Sequence, residues 1–130
     1  MTVRRVVPDA RTDAAAFAEH RAFYGLLGLR EVMNQGWVMA LASPANPTAQ
    51  LLFATHDATA PVVPDLSIEV DTVETLAAVH AAVTASGAEI VHPLTDEPWG
   101  VRRFFARDPG GRVVNVLAHL PAPDSTAPTA

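Results

Sequence analysis

The chain has 130 residues, of which 49% are hydrophobic and 18% are charged, and its formal net charge is −5. This composition is typical of a single soluble globular domain, and an acidic chain lacks the clustered Lys and Arg that nucleic-acid binding requires. No apolar run approaches the ~18 residues of a membrane span, so we expect neither nucleic acid nor membrane as a partner. There is no cysteine and no apolar export signal, and a cytoplasmic location is predicted.

The first half of the chain predicts a strand, a helix and three further strands. Turn-forming and proline-rich segments separate the candidate strands, which lie at residues 3–7, 29–33, 37–41 and 50–54. The first of these strands is expected to end at Pro8. A helix is predicted from Thr12, a good N-cap, to Leu27, and Gly28 supplies its end.

The second half begins after residues 56–64, which contain two prolines and are predicted to be an inter-module linker. Candidate strands follow at residues 66–70, 88–93, 101–107 and 112–120. A helix is predicted over residues 72–86, and Gly87 ends it. Asp71 and Glu74 have the spacing of a capping box at the start of this helix.

The two halves repeat the order strand, helix, glycine, strand. Val7-Pro8-Asp9 in the first half corresponds to Val70-Asp71 in the second. Each half is therefore predicted to be a βαβββ module, over about residues 1–55 and 65–120, within a single domain. The repeat places the chain in the α+β class.

The chain closes with a predicted β-hairpin and a tail. The hairpin reverses at residues 108–111, Asp-Pro-Gly-Gly, where each residue type suits a tight turn. The remaining residues, 121–130, are mostly Pro, Ala, Ser and Thr and are predicted to be a disordered tail.

Two motifs carry a resemblance to a known family. Residues 100–111 have the pattern Gly-x-Arg-x-Phe-Phe-x-x-Asp-Pro-x-Gly, and Phe23-Tyr24 precedes Gly28-Leu29. Both resemble motifs of the vicinal oxygen chelate superfamily, which includes glyoxalase I, extradiol dioxygenases and the bleomycin and fosfomycin resistance proteins. The resemblance covers roughly residues 2–120. It implies two tandem modules that form a curved mixed sheet around a ligand cleft, with the helices on the outer face.

The metal enzymes of this superfamily hold a divalent ion in the cleft with His and Glu side chains. The resemblance places three of those positions on Thr2, Asp65 and Asn115, of which only the aspartate is a plausible ligand. A first-row metal at a catalytic site usually needs about three protein ligands, so we expect no metal cofactor. An alternative metal-dependent enzyme with an unusual ligand set would use Asp65, Glu69, His92 and His119.

The side chains of the alternative metal set also have structural interpretations. His92 precedes Pro93 at the end of a predicted strand and suits a partly exposed position. Glu69 can pair with Arg102 or Arg103 across strands, because a buried carboxylate needs a partner. His119 can cap the sheet where the last strand ends.

Alternation along the strands selects candidate ligand-binding residues, because alternate residues of a strand share a face. In the strand at residues 66–70 the apolar residues should cover a helix, so Asp65, Ser67 and Glu69 share the other face. The resemblance implies that this face is the ligand cleft. The resemblance places Asn115 on the same side. The aromatic candidates are Trp37, Trp99 and Phe104.

Trp99 is the most informative of the aromatic residues. It lies between Pro98 and Gly100 in a loop, where a large ring seldom serves the core. A ring in that position can stack on a flat ligand, and its acidic neighbours Asp96 and Glu97 would favour a cationic one.

The sequence favours a metal-independent small-molecule binding protein, similar to the bleomycin-resistance branch, which sequesters its ligand. That resemblance also implies a homodimer. The alternatives are a metal-dependent glyoxalase-like lyase, isomerase or dioxygenase, and a structural or regulatory module with a filled cleft. No Gly-rich phosphate loop and no nucleophile elbow is present.

Overall fold

The computed structural model describes residues 2–122, in which eight strands form one sheet and two helices pack against it. The strands are β1 (Val3–Arg11), β2 (Arg30–Asn34), β3 (Val38–Ala42), β4 (Gln50–Ala54), β5 (Leu66–Val70), β6 (Ile90–Asp96), β7 (Val101–Arg107) and β8 (Val113–His119). Helix α1 spans Phe17–Gly25 after a 3-10 turn at Ala14–Ala16, and α2 spans Val73–Ala85. The predicted tail falls outside the described residues from 123 onwards.

The strand order is β2-β3-β4-β1-β5-β8-β7-β6. Strands β1 and β5 form an antiparallel pair at the centre, with Val7 opposite Ser67. Outward from this pair, β1 is parallel to β4 and β5 is parallel to β8, and the remaining pairs in each half are antiparallel. The predicted α+β fold of two tandem βαβββ modules in one mixed sheet is confirmed.

Each helix covers its own module on one face of the sheet. The core of the first module comprises Phe17, Met39, Leu41 and Phe53. The core of the second module comprises Val70, Leu76, Phe104, Ala106, Val116 and Ala118. Burying a Val, Leu, Phe or Met side chain contributes about 1.5–3 kcal/mol, so these two clusters hold the helices on the sheet. Within residues 2–122, neither helix is long and apolar enough to cross a membrane.

Strand β1 is longer than predicted, and the reason lies in its change of partner. Its residues pair with β5 up to Pro8, and from Asp9 onwards they pair with β4. Pro8 therefore lies at the exchange between two partners, where a missing N–H interrupts neither ladder. The strand continues to Arg11 instead of ending at Pro8, and this extension carries Asp9 into the sheet.

Both helices begin differently from the prediction. Thr12 does not cap α1, because its hydroxyl lies 3.0 Å from Nε2 of His20 and the first turn is a 3-10 turn. At α2 the N-cap is Thr72, whose hydroxyl accepts a hydrogen bond of 3.0 Å from the backbone N–H of Thr75. The N-cap therefore lies one residue later than predicted, and the backbone N–H of Thr72 donates to Asp71 instead of to a capping-box partner.

Candidate functional site

A cavity of about 260 Å³ lies between the two modules, and both contribute to its wall. Its apolar part comprises Val7, Val38, Leu52, Ala54, Val101 and Leu117. On β7 and β8, Val101 and Leu117 alternate with residues of the α2 core, which places the cavity on the sheet face away from that helix. The two modules thus form a cleft where the resemblance implies one.

Two tryptophans stand together at the cavity wall. The ring centroids of Trp37 and Trp99 are 5.9 Å apart with an angle of 59° between the planes. Trp99 is 36% exposed, and Gly100 beside it has a φ of 90°, a conformation that other residues rarely adopt. The sequence contains no other tryptophan. Every tryptophan of the protein therefore lies at this cavity.

Trp99 rests on a buried arginine. The guanidinium carbon of Arg103 lies 4.9 Å from the centre of the Trp99 ring. Arg103 also donates two hydrogen bonds, of 2.7 and 2.9 Å, to the carboxylate of Asp57, and one of 2.6 Å to Glu97. The side chains of Arg103, Asp57 and Glu97 are at most 6% exposed. This network fixes the residue beneath Trp99.

The network also explains the ionisation of Asp57, which belongs to the segment predicted as a linker. Burial would raise the pKa of Asp57, but hydrogen bonds from Arg103 and from the backbone N–H groups of Ala60 and Thr59 hold it below its ordinary value. Residues 56–64 contain neither helix nor strand, yet Asp57 ties this segment to β7.

Both acidic residues near Trp99, Asp96 and Glu97, form ion pairs with arginines. Glu97 is bonded to Arg103, and the carboxylate of Asp96 is bonded to Arg102. Each acid therefore already has an arginine partner from β7, and Glu97 shares its partner with Asp57. The attraction of a cationic ligand by these two acids stays a prediction.

A second polar group, the Asp9–Ser67–Asn115 group, lies deeper in the wall. The Ser67 hydroxyl donates a hydrogen bond of 2.7 Å to Oδ2 of Asp9, and the amide nitrogen of Asn115 donates one of 3.0 Å to the Ser67 oxygen. Oδ1 of Asp9 and Oδ1 of Asn115 are buried and have no hydrogen-bond partner among the described residues. Burial raises the pKa of Asp9 to about 7, against the opposing effect of the Ser67 hydrogen bond.

Glu69 lies in the wall as predicted, but its partners differ from those expected. Arg5 and His119 bond its two carboxylate oxygens, the latter at 2.9 Å, and Arg5 also donates to Gln50 at 2.7 Å. Burial alone would raise the pKa of Glu69, and the bonds from Arg5 and His119 hold it below its ordinary value. The predicted pairing with Arg102 or Arg103 is not formed, because those arginines bond the acids around Trp99.

Two of the predicted ligand-binding residues lie elsewhere. Asp65 is exposed outside the cavity wall, and its carboxylate accepts a hydrogen bond of 2.8 Å from the backbone N–H of Val113. Phe104 is fully buried in the α2 core, where its ring centroid lies 4.8 Å from that of His80. The other candidates, Trp37, Ser67, Glu69, Trp99 and Asn115, all line the cavity.

His92 also departs from the prediction. It is 6% exposed on β6, and its Nε2 lies 3.4 Å from the carboxylate of Glu97. Glu69 and His119, by contrast, are bonded to each other in the cavity wall. Of the four residues in the alternative metal set, only Glu69 and His119 are bonded to each other, while Asp65 accepts a hydrogen bond from a backbone N–H and His92 lies beside Glu97.

The sequence matches the model of the Glyoxalase/Bleomycin resistance protein/Dioxygenase superfamily over residues 6–116. The chain belongs to this superfamily. The match spans both modules and the cavity between them, and it confirms the resemblance seen in the two motifs. No curated protein sequence matches the chain.

Solved structures share the superfamily fold at low sequence identity. A superfamily member from Vibrio splendidus 12B01 is 14% identical, with a TM-score of 0.61 over 90% of this chain and 99% of that one. The Mn(II)-bound glyoxalase from Novosphingobium aromaticivorans is 20% identical, with a TM-score of 0.62 over 89% of this chain and 38% of that one. Methylmalonyl-CoA epimerase from Mycobacterium tuberculosis is 18% identical, with a TM-score of 0.57 over 92% and 88%. At these identities the comparison establishes the fold alone.

The metal positions of the superfamily do not form a ligand set in this chain. Thr2 is exposed and precedes β1, and the Asp65 carboxylate is bonded to a backbone N–H. The Asn115 amide is bonded to Ser67. Within residues 2–122, no three His, Asp or Glu side chains lie close enough to hold one ion. Because a catalytic divalent metal usually needs about three such ligands, the residues present do not fit it.

Sequence reasoning missed four charged residues of the wall, Arg5, Asp9, Asp57 and Arg103. Arg5 and Asp9 alternate with Val7 on β1 and share its face. Arg5 lies within the predicted strand, whereas a strand that ends at Pro8 leaves Asp9 out. The sequence predicts Arg103 only as a partner for Glu69. The hydrogen bonds between Arg103 and Asp57 join residues that are far apart in sequence, so no local sequence pattern predicts them.

Proposed function

We propose that this superfamily member binds a small flat organic molecule in the cavity between its modules, without a metal ion, and sequesters it. The observation that supports this function is the pair of tryptophans, Trp37 and Trp99, beside an apolar cavity. Small-molecule sites are mostly apolar and concave, with few polar groups that fix orientation. The cavity has these properties.

The volume of the cavity limits the size of the ligand. Small-molecule sites commonly enclose roughly 300–1,000 Å³. At about 260 Å³ the cavity lies just below that range, which suits a compound of one or two rings. A flat ring can stack on the exposed part of Trp99, and aromatic stacking of this kind contributes about 0.5–1.5 kcal/mol beyond the buried area.

Tryptophan fluorescence tests this function directly, because both tryptophans lie at the cavity. We expect a saturable change in emission with at least one member of a panel of one- and two-ring compounds that includes acetophenone, quinoline and benzamidine. Trp99→Ala should weaken that binding at least tenfold, as measured by calorimetry. The control is Val32→Ala, which truncates an apolar side chain that is 58% exposed and lies outside the cavity. Equal affinity in the Trp99 variant would remove the proposed role of that residue.

The competing function is a metal-dependent glyoxalase-like lyase, isomerase or dioxygenase. Membership of the superfamily supports it, and the neighbours include a structure named as a Mn(II)-bound glyoxalase. Elemental analysis of protein purified from medium with added manganese, nickel, zinc or iron separates the two functions. About one metal ion per chain, lost in Glu69→Gln, would favour the enzyme and overturn the metal-independent assignment.

A homodimer is part of the proposal. Leu26 and Leu27, which follow α1, are 85% and 67% exposed, and Phe23 on α1 is 58% exposed. Large apolar side chains grouped on a surface are typical of association sites. A cytoplasmic location stays a prediction from the sequence.

A further inference from the structure

We infer that the Asp9–Ser67–Asn115 group binds a part of the ligand that donates two hydrogen bonds, of the amidine, guanidine or amino-heterocycle class. This inference rests on the proposed function, because it names the chemistry that the cavity selects. The evidence is the pair of acceptor oxygens in the wall that lack a partner.

The direction of each bond leaves these two oxygens as acceptors. Ser67 donates its single hydroxyl proton to Asp9 and accepts from the amide nitrogen of Asn115. At pH 8, above the pKa of Asp9, the remaining oxygen of its ionised carboxylate can only accept, as can the carbonyl oxygen of Asn115. Because Ser67 joins both side chains, the two unpartnered acceptors belong to neighbouring groups of one cluster.

Leaving such atoms buried without a partner is unfavourable. A buried acceptor without a hydrogen bond costs about 1–3 kcal/mol, and native proteins contain few. Asn115 is 7% exposed, so bulk water does not satisfy its carbonyl group. The terminal torsions of Asp and Asn have broad minima, so a small rotation turns either oxygen towards a donor in the cavity. A ligand with two N–H groups can donate a hydrogen bond to each of the two unpartnered oxygens.

The charges of the wall favour a cationic donor. The two arginines that line the cavity are each bonded to a carboxylate, Arg5 to Glu69 and Arg103 to Asp57. Asp9 has no ion-pair partner among the described residues. A protonated amidine would supply both the missing charge and the two donors, and charge-assisted hydrogen bonds are about twice as strong as neutral ones. An anionic ligand finds no unpaired arginine in this wall.

Three one-ring probes of similar size separate donor recognition from simple stacking. Benzamidine carries the N–H donors and a positive charge, acetophenone only accepts hydrogen bonds, and benzoate accepts and is negative. We expect benzamidine to bind at least tenfold more tightly than acetophenone, and benzoate to bind least, by tryptophan fluorescence and calorimetry at pH 8. Equal affinities for benzamidine and acetophenone would overturn the inference and leave the proposed function standing.

Variants locate the donor site. Asp9→Asn should weaken benzamidine binding at least tenfold and leave acetophenone binding within about twofold. The matched control is Asp96→Asn, which makes the same chemical change at an exposed carboxylate outside the cavity. If Asp9→Asn does not fold, Asn115→Leu supplies the second test, since it removes one acceptor. Unchanged benzamidine affinity in the folded variant would overturn the inference. Failure of all three probes and of the wider panel would contradict the proposed function itself.

Discussion

The guanidinium carbon of Arg103 lies 4.9 Å from the centre of the Trp99 ring, while the same guanidinium holds Asp57 and Glu97. One buried arginine therefore supports the aromatic wall of the cavity and joins the segment after β4 to β7. This arrangement links the stability of the fold to the position of the residue proposed to contact the ligand.

Arg103→Ala should destabilise the protein by about 3–5 kcal/mol, because it leaves two buried carboxylates without their partner. The control is Arg107→Ala on the same strand, which breaks an exposed pair with Glu89 and should cost less than about 1 kcal/mol. Urea unfolding monitored by circular dichroism measures both. Similar losses in the two variants would show that the buried network contributes no more than a surface pair.

Phe104→Ala should mainly lower the stability of the fold, whereas Trp99→Ala should mainly lower the affinity for the ligand. Phe104 is fully buried against α2, so its truncation should cost about 3–5 kcal/mol while the affinity of the folded protein for a cavity ligand stays the same. Trp99→Ala should cost less stability and remove most of the affinity. Urea unfolding and calorimetric titration with benzamidine on each variant provide the comparison. A loss of affinity in folded Phe104→Ala would place that ring in the site after all.

The contrast between these two rings shows what the sequence could predict. The repeat of strand, helix, glycine and strand is local, and it identified both modules. The cleft between them followed from the family resemblance. Strand alternation put Ser67 and Glu69 on one face, and the family resemblance put Asn115 on the same side. All three line the cavity. Strand alternation could not place Phe104, because β7 carries both arginine and phenylalanine on each of its faces. Which face of β7 lines the cavity depends on how β7 packs against parts of the chain that are distant in sequence.

Asp9 shows a second limit of sequence reasoning. A proline usually ends a strand or confines it to an edge, so ending β1 at Pro8 was the ordinary inference. The sheet instead changes the partner of β1 at that residue, and Asp9 enters the cavity wall. The fold was thus predictable from local patterns, whereas the polar groups of the site depend on tertiary pairing.

Asp9 should make the stability of the protein depend on pH. Burial raises its pKa from 3.8 to about 7, so the folded protein keeps a proton that the unfolded chain releases between those values. The contribution is complete below about pH 4 and is lost as the pH rises through 7, by at most roughly 4 kcal/mol. Asp9→Asn should therefore gain stability relative to the natural protein between pH 5 and pH 8. Urea unfolding at both pH values measures the gain, and Asp96→Asn should show none. A constant difference between Asp9→Asn and the natural protein across this range would contradict the raised pKa.

The exposed leucines after α1 predict how the chain associates. Leu26 and Leu27 are 85% and 67% exposed, and their burial at a dimer interface would contribute about 1.5–3 kcal/mol for each leucine on each subunit. Size-exclusion chromatography with light scattering should give twice the mass of one chain. Leu26→Glu combined with Leu27→Glu should give the single-chain mass, because burying the carboxylates in an apolar interface is strongly unfavourable. The control is Val62→Glu, at an apolar residue that is 38% exposed and lies between β4 and β5. A dimer that survives the double substitution would place the interface elsewhere, and a natural protein with the mass of one chain would exclude the homodimer.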